Sequence, residues 1–114
     1  MKNSELARSI IKFRKERDWE QFHSLKDLCL GIGIEVAELQ EIFLWKTNEE
    51  IVQIKKSQKE QISNELADIF IFLTYLSNDL NIDLESAVSK KLALNALKYP
   101  VLKSKGKNIK YNKL

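Results

Sequence analysis

Two pairs of acids, Glu35-x-x-Glu38 and Glu65-x-x-Asp68, are the residues of this chain best spaced to do chemistry. Residues three apart share one face of a helix. Most such pairs are solvated, so their angular position decides their meaning. At 3.6 residues per turn, Leu28, Ile32, Leu39 and Ile42 all fall within about 60° of Glu35, and Glu38 falls beside Gly31. Glu41 points off that apolar stripe. Ile62, Ile69, Phe72 and Leu76 surround Glu65 in the same way, with Asp68 about 60° aside. If the two helices pack face to face, four carboxylates converge in a core. Their repulsion is comparable with the stability of a whole small domain, so protons or cations must neutralise them. Four hard oxygen donors suit Mg²⁺, with Mn²⁺ possible. Di-iron and di-manganese bundles use Glu-x-x-His pairs. The single histidine, His23, lies in neither motif, which disfavours iron and zinc. Mg²⁺ held by a few carboxylates is usually completed by substrate phosphates, so a phosphorylated substrate is expected.

Four helices must position these groups. The first runs from about Ser4 to Arg17, with Leu6, Ile10 and Phe13 on one face. A polar-aromatic link, Asp18 to His23, follows. Ser24 is an N-cap for a second helix reaching about Trp45, with Asp27 as its capping-box partner. Thr47 or Asn48 caps a third helix, which carries Glu49 and Glu50 in its first turn and extends to Leu80, with room for an interruption near Lys55–Lys59. Asp83 caps a fourth, which ends before Pro100 because the residue preceding proline avoids the α region. Residues 69–76 (Ile-Phe-Ile-Phe-Leu-Thr-Tyr-Leu) are apolar in every direction around a helix. A helix apolar all round is buried all round, which predicts a homo-oligomer with this helix at its centre. Cys29, within an apolar pattern, is expected to be a small core residue.

Composition supports this frame. The 114 residues include three Gly and one Pro, where average usage would give roughly 12% of the two together. That is too few turn formers for an all-β fold. Charged residues make up 31% and hydrophobic residues 44%, a balance that fits a folded helical domain. The length suits one domain: a helical unit over residues 1–100 and a basic tail over 101–114. A single cysteine excludes an internal disulfide. The N-terminus has no apolar leader and no stretch is long enough to span a bilayer, so no membrane association and a cytoplasmic location are expected. The net charge of +3 conceals a division. Residues 1–85 hold all 16 acids and a net charge of −5; residues 86–114 hold 8 Lys, no acid, and a net charge of +8. Such a tail suits the charge of a phosphorylated substrate. The rival reading is a helical nucleic-acid-binding module using this tail. It leaves four acids on two apolar faces unexplained, so no nucleic-acid partner is expected.

The acid motif, with 26 residues between its halves, resembles that of the MazG-like all-α NTP pyrophosphohydrolases. Flanking blocks extend the likeness to residues 6–113. Arg17-Asp18-Trp19-Glu20-Gln21-Phe22-His23, Phe43-Leu44-Trp45-Lys46 and Lys91-x3-Asn95-x2-Lys98-Tyr99-Pro100 resemble the deoxycytidine-triphosphate pyrophosphatase branch. The resemblance implies an all-α four-helix bundle of the MazG-like type, assembled as a homo-oligomer, with a tetramer favoured and a dimer possible. It implies a hydrolase that cleaves a nucleoside triphosphate (dCTP or modified dCTP) between the α and β phosphates to monophosphate and pyrophosphate. Glu35, Glu38, Glu65 and Asp68 would bind Mg²⁺, and Glu35 or Glu38 would be the catalytic base. Lys91, Asn95, Lys98 and Tyr99 would meet the triphosphate and sugar. Trp19 and Trp45 would contact the base, and His23 the base or a phosphate. The chain departs from the branch at two positions. Phe72 stands at a substrate-contacting position where the branch usually has Tyr, and Ile10 where it commonly has His. Both bear on base preference and leave the acids untouched.

Overall fold

The structure, a computed structural model, describes residues 4–114; the first three residues of the N-terminus read above as leaderless lie outside them. The described residues are helical, without strands. The helices are α1 (Glu5–Glu16), α2 (Leu25–Phe43), α3 (Asn48–Ser57), α4 (Lys59–Asp79), α5 (Leu84–Lys98) and a short α6 (Val101–Ser104). The starts follow local chemistry. Ser4, Ser24, Thr47 and Asp83 each accept a hydrogen bond from a backbone N–H three residues on. Each thereby satisfies a donor that the first helical turn leaves open. Thr47 and Glu50 form a reciprocal capping box, both bonds 3.2 Å.

The expected third helix is divided. Gln58 leaves helical geometry at φ −119° and separates α3 from α4. Lys55 and Lys59 lie one turn apart, and like charges at that spacing weaken a helix where the break occurs. At the far end of α4, Asn81 adopts φ +55°. Its N–H donates to Asn78 O at 3.0 Å and that of Ile82 to Ser77 O at 2.8 Å, closing the helix with a Schellman motif.

α2 lies along α4 as the principal contact, and α1 also packs on α4. Leu28, at 1% exposure, and Ile42 anchor α2. Gly31 permits the close approach: a Cβ there would sit 3.1 Å from Phe72 Cε1. Ile10, Leu28 and Tyr75 form the core centre, joined by Ile11, Phe70, Ile71, Phe72 and Leu76. The buried face of α1 differs from the expected one. Ala7, Ile10 and Arg14 are buried, whereas Leu6 and Phe13 are exposed. Arg14 turns inward because Asp79 receives it, with N–H···O distances of 2.8 and 2.6 Å. Phe13 instead meets Trp19 edge-on at 5.8 Å and carries the Arg17 guanidinium 3.6 Å above its ring. Cys29 also departs from expectation and is exposed, since α4 covers only one face of α2.

α5 buries no side chain of its own. The Cα radius of gyration is 17.8 Å, against about 13 Å for a compact domain of this length. Beyond Pro100 the chain does not trail away. α6 and a turn at Gly106 (φ +74°) lead to a 3₁₀ turn whose Tyr111 meets Tyr99 edge-on at 6.1 Å.

Candidate active site

The face-to-face packing of α2 on α4 brings three of the four expected acids together. One carboxylate oxygen from each of Glu35, Glu38 and Glu65 lies within 4.8 Å of the others. Glu35 Oε2 and Glu65 Oε2 are both buried without a hydrogen-bond partner. A buried, unpartnered carboxylate oxygen is costly, so these two atoms mark a place where a ligand completes the structure. Burial, the hydrogen bond to Glu65 and the charges of Glu38 and Asp68 push the Glu35 carboxyl up to about 7. Burial likewise raises Glu65, although the proton it receives from Glu35 works the other way. A Glu35 carboxyl at about 7 favours a proton on the cluster near neutral pH, which lessens the repulsion among its charges. Three convergent carboxylates, two of them carrying an orphaned oxygen, fit a divalent ion of the Mg²⁺ or Mn²⁺ type.

Asp68, one turn beyond Glu65, stands outside this tight group. It lines a neighbouring cavity of about 400 Å³ with Ile10, Phe13, Trp19, His23, Ile71, Phe72, Tyr75 and Ser9. That volume is typical of small-molecule sites. Its walls are mostly aromatic. His23 lies 5.4 Å from the Tyr75 ring at 35° and 6.4 Å from Phe72, and Phe72 meets Tyr75 edge-on at 6.1 Å. Burial, and then the Arg14 charge, lower the His23 pKa and favour its neutral ring. Its Nδ1 is buried without a partner. Ile10 and Phe72, the two departures from the branch, thus face one pocket together.

A second cavity, about 540 Å³, opens on the other side of the acids. It is lined by Glu38, Glu41, Ile42, Lys46, Gln58, Gln61 and Glu65. The carboxylates therefore stand between an aromatic pocket and a polar one. No sequence pattern marks Lys46, Gln58 and Gln61 as neighbours of the acids. They gather there because α2 ends and α4 begins at the same end of the paired helices.

The remaining expected residues lie elsewhere in the chain. Trp45 is 90% exposed on a backbone of φ +63°, a conformation unusual for a bulky residue, where the chain turns from α2 into α3. Lys91, Asn95, Lys98 and Tyr99 line neither cavity. Asn95 is half-buried on α5, and the Lys98 ammonium sits 4.8 Å above the Tyr111 ring. Ser9, Phe13 and Tyr75 join the aromatic pocket with no motif to announce them.

The chain is similar to known proteins. Residues 30–114 match the profile of the MazG-like family. Over 112 residues the chain is 40% identical to dCTP pyrophosphatase 1 of Bos taurus and 37% identical to that of Homo sapiens, covering 96% of this chain in both cases. It spans 66% of the length of those relatives. A crystal structure of a pyrophosphatase from Archaeoglobus fulgidus is similar with a TM-score of 0.79 and 37% identity, over 84% of this chain and 90% of that one.

Proposed function

Since the chain belongs to the MazG-like family, we propose that it is a nucleotide pyrophosphohydrolase acting on dCTP or a modified dCTP in the cytoplasm. The observation that carries this reading is the trio Glu35, Glu38 and Glu65, with two orphaned oxygens, set beside an aromatic pocket of nucleobase size. Glu35, Glu38, Glu65 and the adjacent Asp68 would hold Mg²⁺, or Mn²⁺ in its place. When bound, the ion neutralises the triphosphate and stabilises charge developing at the scissile phosphate. A carboxylate of the Glu35–Glu38 pair orients a water toward the α-phosphorus and accepts its proton. The new P–O bond forms as the bond from the α-phosphorus to the bridging oxygen breaks, and pyrophosphate leaves from the nucleoside monophosphate.

Trp19, His23 and Phe72 hold the base in the aromatic pocket, and the polar cavity with Lys46 receives the phosphates. Lys91, Asn95, Lys98 and Tyr99 serve the triphosphate and sugar. Because these four line neither cavity of one chain and Trp45 is fully outside, we place them at the boundary with a second copy in a homo-oligomer, a tetramer rather than a dimer. Residues 1–100 form the catalytic unit in this reading and 101–114 a basic appendage.

The test is pyrophosphate release from dCTP, 5-substituted dCTP, dUTP and dTTP with Mg²⁺. Release of orthophosphate would move the cleavage point. Activity surviving Glu38→Ala with Glu65→Ala would remove the site.

A further inference from the structure

A charge pair stands behind the aromatic pocket without lining it. Arg14 on α1 is 1% exposed, and its two terminal nitrogens donate to both oxygens of Asp79 near the end of α4. The same guanidinium lies over the Tyr75 ring, its Cζ 4.6 Å from the centroid. Tyr75 in turn meets His23 and Phe72, and these three rings line the pocket.

Arg14 is fully buried while Asp79 keeps about a quarter of its side chain exposed, and an ion pair with one partner so desolvated is a poor device for stability alone. Apolar residues of the same volume often hold two helices equally well. Arg14 Nε is even left buried and unpartnered, a cost that a mere fastener need not carry. What the pair adds is geometry. Two parallel N–H···O bonds fix the plane of the guanidinium, and a ring held over that plane loses its freedom to tilt. Tyr75 then sets the wall against which His23 rests, and with it the direction of the unpartnered His23 Nδ1.

We infer that Arg14, locked by Asp79, is a positioning residue that fixes the tilt of Tyr75 and through it the edge that His23 presents, so that the pair governs how strictly the pocket discriminates between nucleobases. This rests on the reading of the pocket as the base site. Lysine at position 14 keeps the charge but has neither the fork nor the plane. A displacement of about 1 Å in a recognising group is worth up to about a hundredfold.

The experiment compares Arg14→Lys, the apolar pair Arg14→Met/Asp79→Leu, Tyr75→Leu and the double variant Arg14→Lys/Tyr75→Leu with the wild-type chain. Melting temperature, kcat and KM are measured for four deoxynucleoside triphosphates. Arg14→Lys and the apolar pair are expected to lower the ratio of kcat/KM between the preferred and least preferred base about tenfold, the loss falling on KM. The apolar pair does so without a fall in melting temperature, and the double variant loses no more selectivity than Tyr75→Leu alone. A lower melting temperature with the base ratio unchanged overturns the inference. If the wild-type chain releases pyrophosphate from none of the nucleotides, the proposed activity falls instead. The positioning claim is then read from the ¹⁵N shift of His23 Nδ1 in the unliganded protein. Arg14→Lys moves it if Arg14 positions the ring, and an unmoved shift refutes that.

Discussion

With its carboxyl raised to about 7, Glu35 would make divalent-ion binding at the proposed site a pH-dependent exchange. The ion and the proton compete for the same oxygens, so binding expels whatever proton Glu35 holds. With its carboxyl at about 7, Glu35 is roughly nine-tenths protonated at pH 6, half at pH 7 and one-tenth at pH 8. Binding of Mg²⁺ should therefore release about 0.9, 0.5 and 0.1 proton at those three values, and the apparent affinity should rise about tenfold from pH 6 to pH 8. Calorimetry in two buffers of different ionisation enthalpy counts these protons directly, and Glu35→Gln should abolish the release. A flat affinity over this range, or no release at pH 6, would refute the assignment of the buried proton to this site. The sign for stability follows. The folded carboxyl binds its proton more tightly than the unfolded one, whose reference value is 4.5, so its stabilising effect is complete below that value and lost as pH rises through about 7. The metal-free chain should thus melt at a lower temperature at pH 8 than Glu35→Gln does, and Mg²⁺ should close the gap. His23, with a lowered pKa, acts in the opposite sense below about 6.5, which is why the comparison is with the Glu35 variant.

Three further outcomes can be measured. Gly33→Ala has open space around the new Cβ and should raise stability by about 0.5–1 kcal/mol in urea unfolding, whereas Gly31→Ala presses on Phe72 and should spend that gain, raising KM for the nucleotide. Asp79→Ala leaves the buried Arg14 cation alone and should cost about 2–4 kcal/mol by the same assay, the lower end reflecting the quarter of Asp79 that remains exposed. Thr47→Ala removes half of the capping box and should cost about 1 kcal/mol, with little effect on pyrophosphate release.

What the amino-acid order disclosed is what local rules govern. Ser4, Ser24, Thr47 and Asp83 announce helix starts because a cap needs only a backbone N–H three residues on. Glu35 and Glu65 were legible because a charge in the middle of an apolar stripe is anomalous without any knowledge of its neighbours. Asp68 shares the helical face of Glu65 but lies a turn beyond the convergence, a register that depends on how far α4 slides along α2. Arg14 was illegible for a different reason. On α1 alone it reads as a solvated cation next to an apolar face, and only Asp79, 65 positions away, gives it a reason to be inside. Cys29 shows the converse error. An apolar pattern says that a face wants cover, but not which chain supplies it.

That point bears most on α5. Fifteen residues are about the least that hold helical form in water even with favourable composition, and this helix buries no side chain within its chain. Val88, Leu92 and Leu97 all face solvent. In the proposed homo-oligomer its order would come from mass action. On dilution its backbone amides should exchange with solvent well before those of α2 and α4, and a protomer too dilute to meet another would keep its carboxylates while losing the helix that bears Lys91, Asn95 and Lys98.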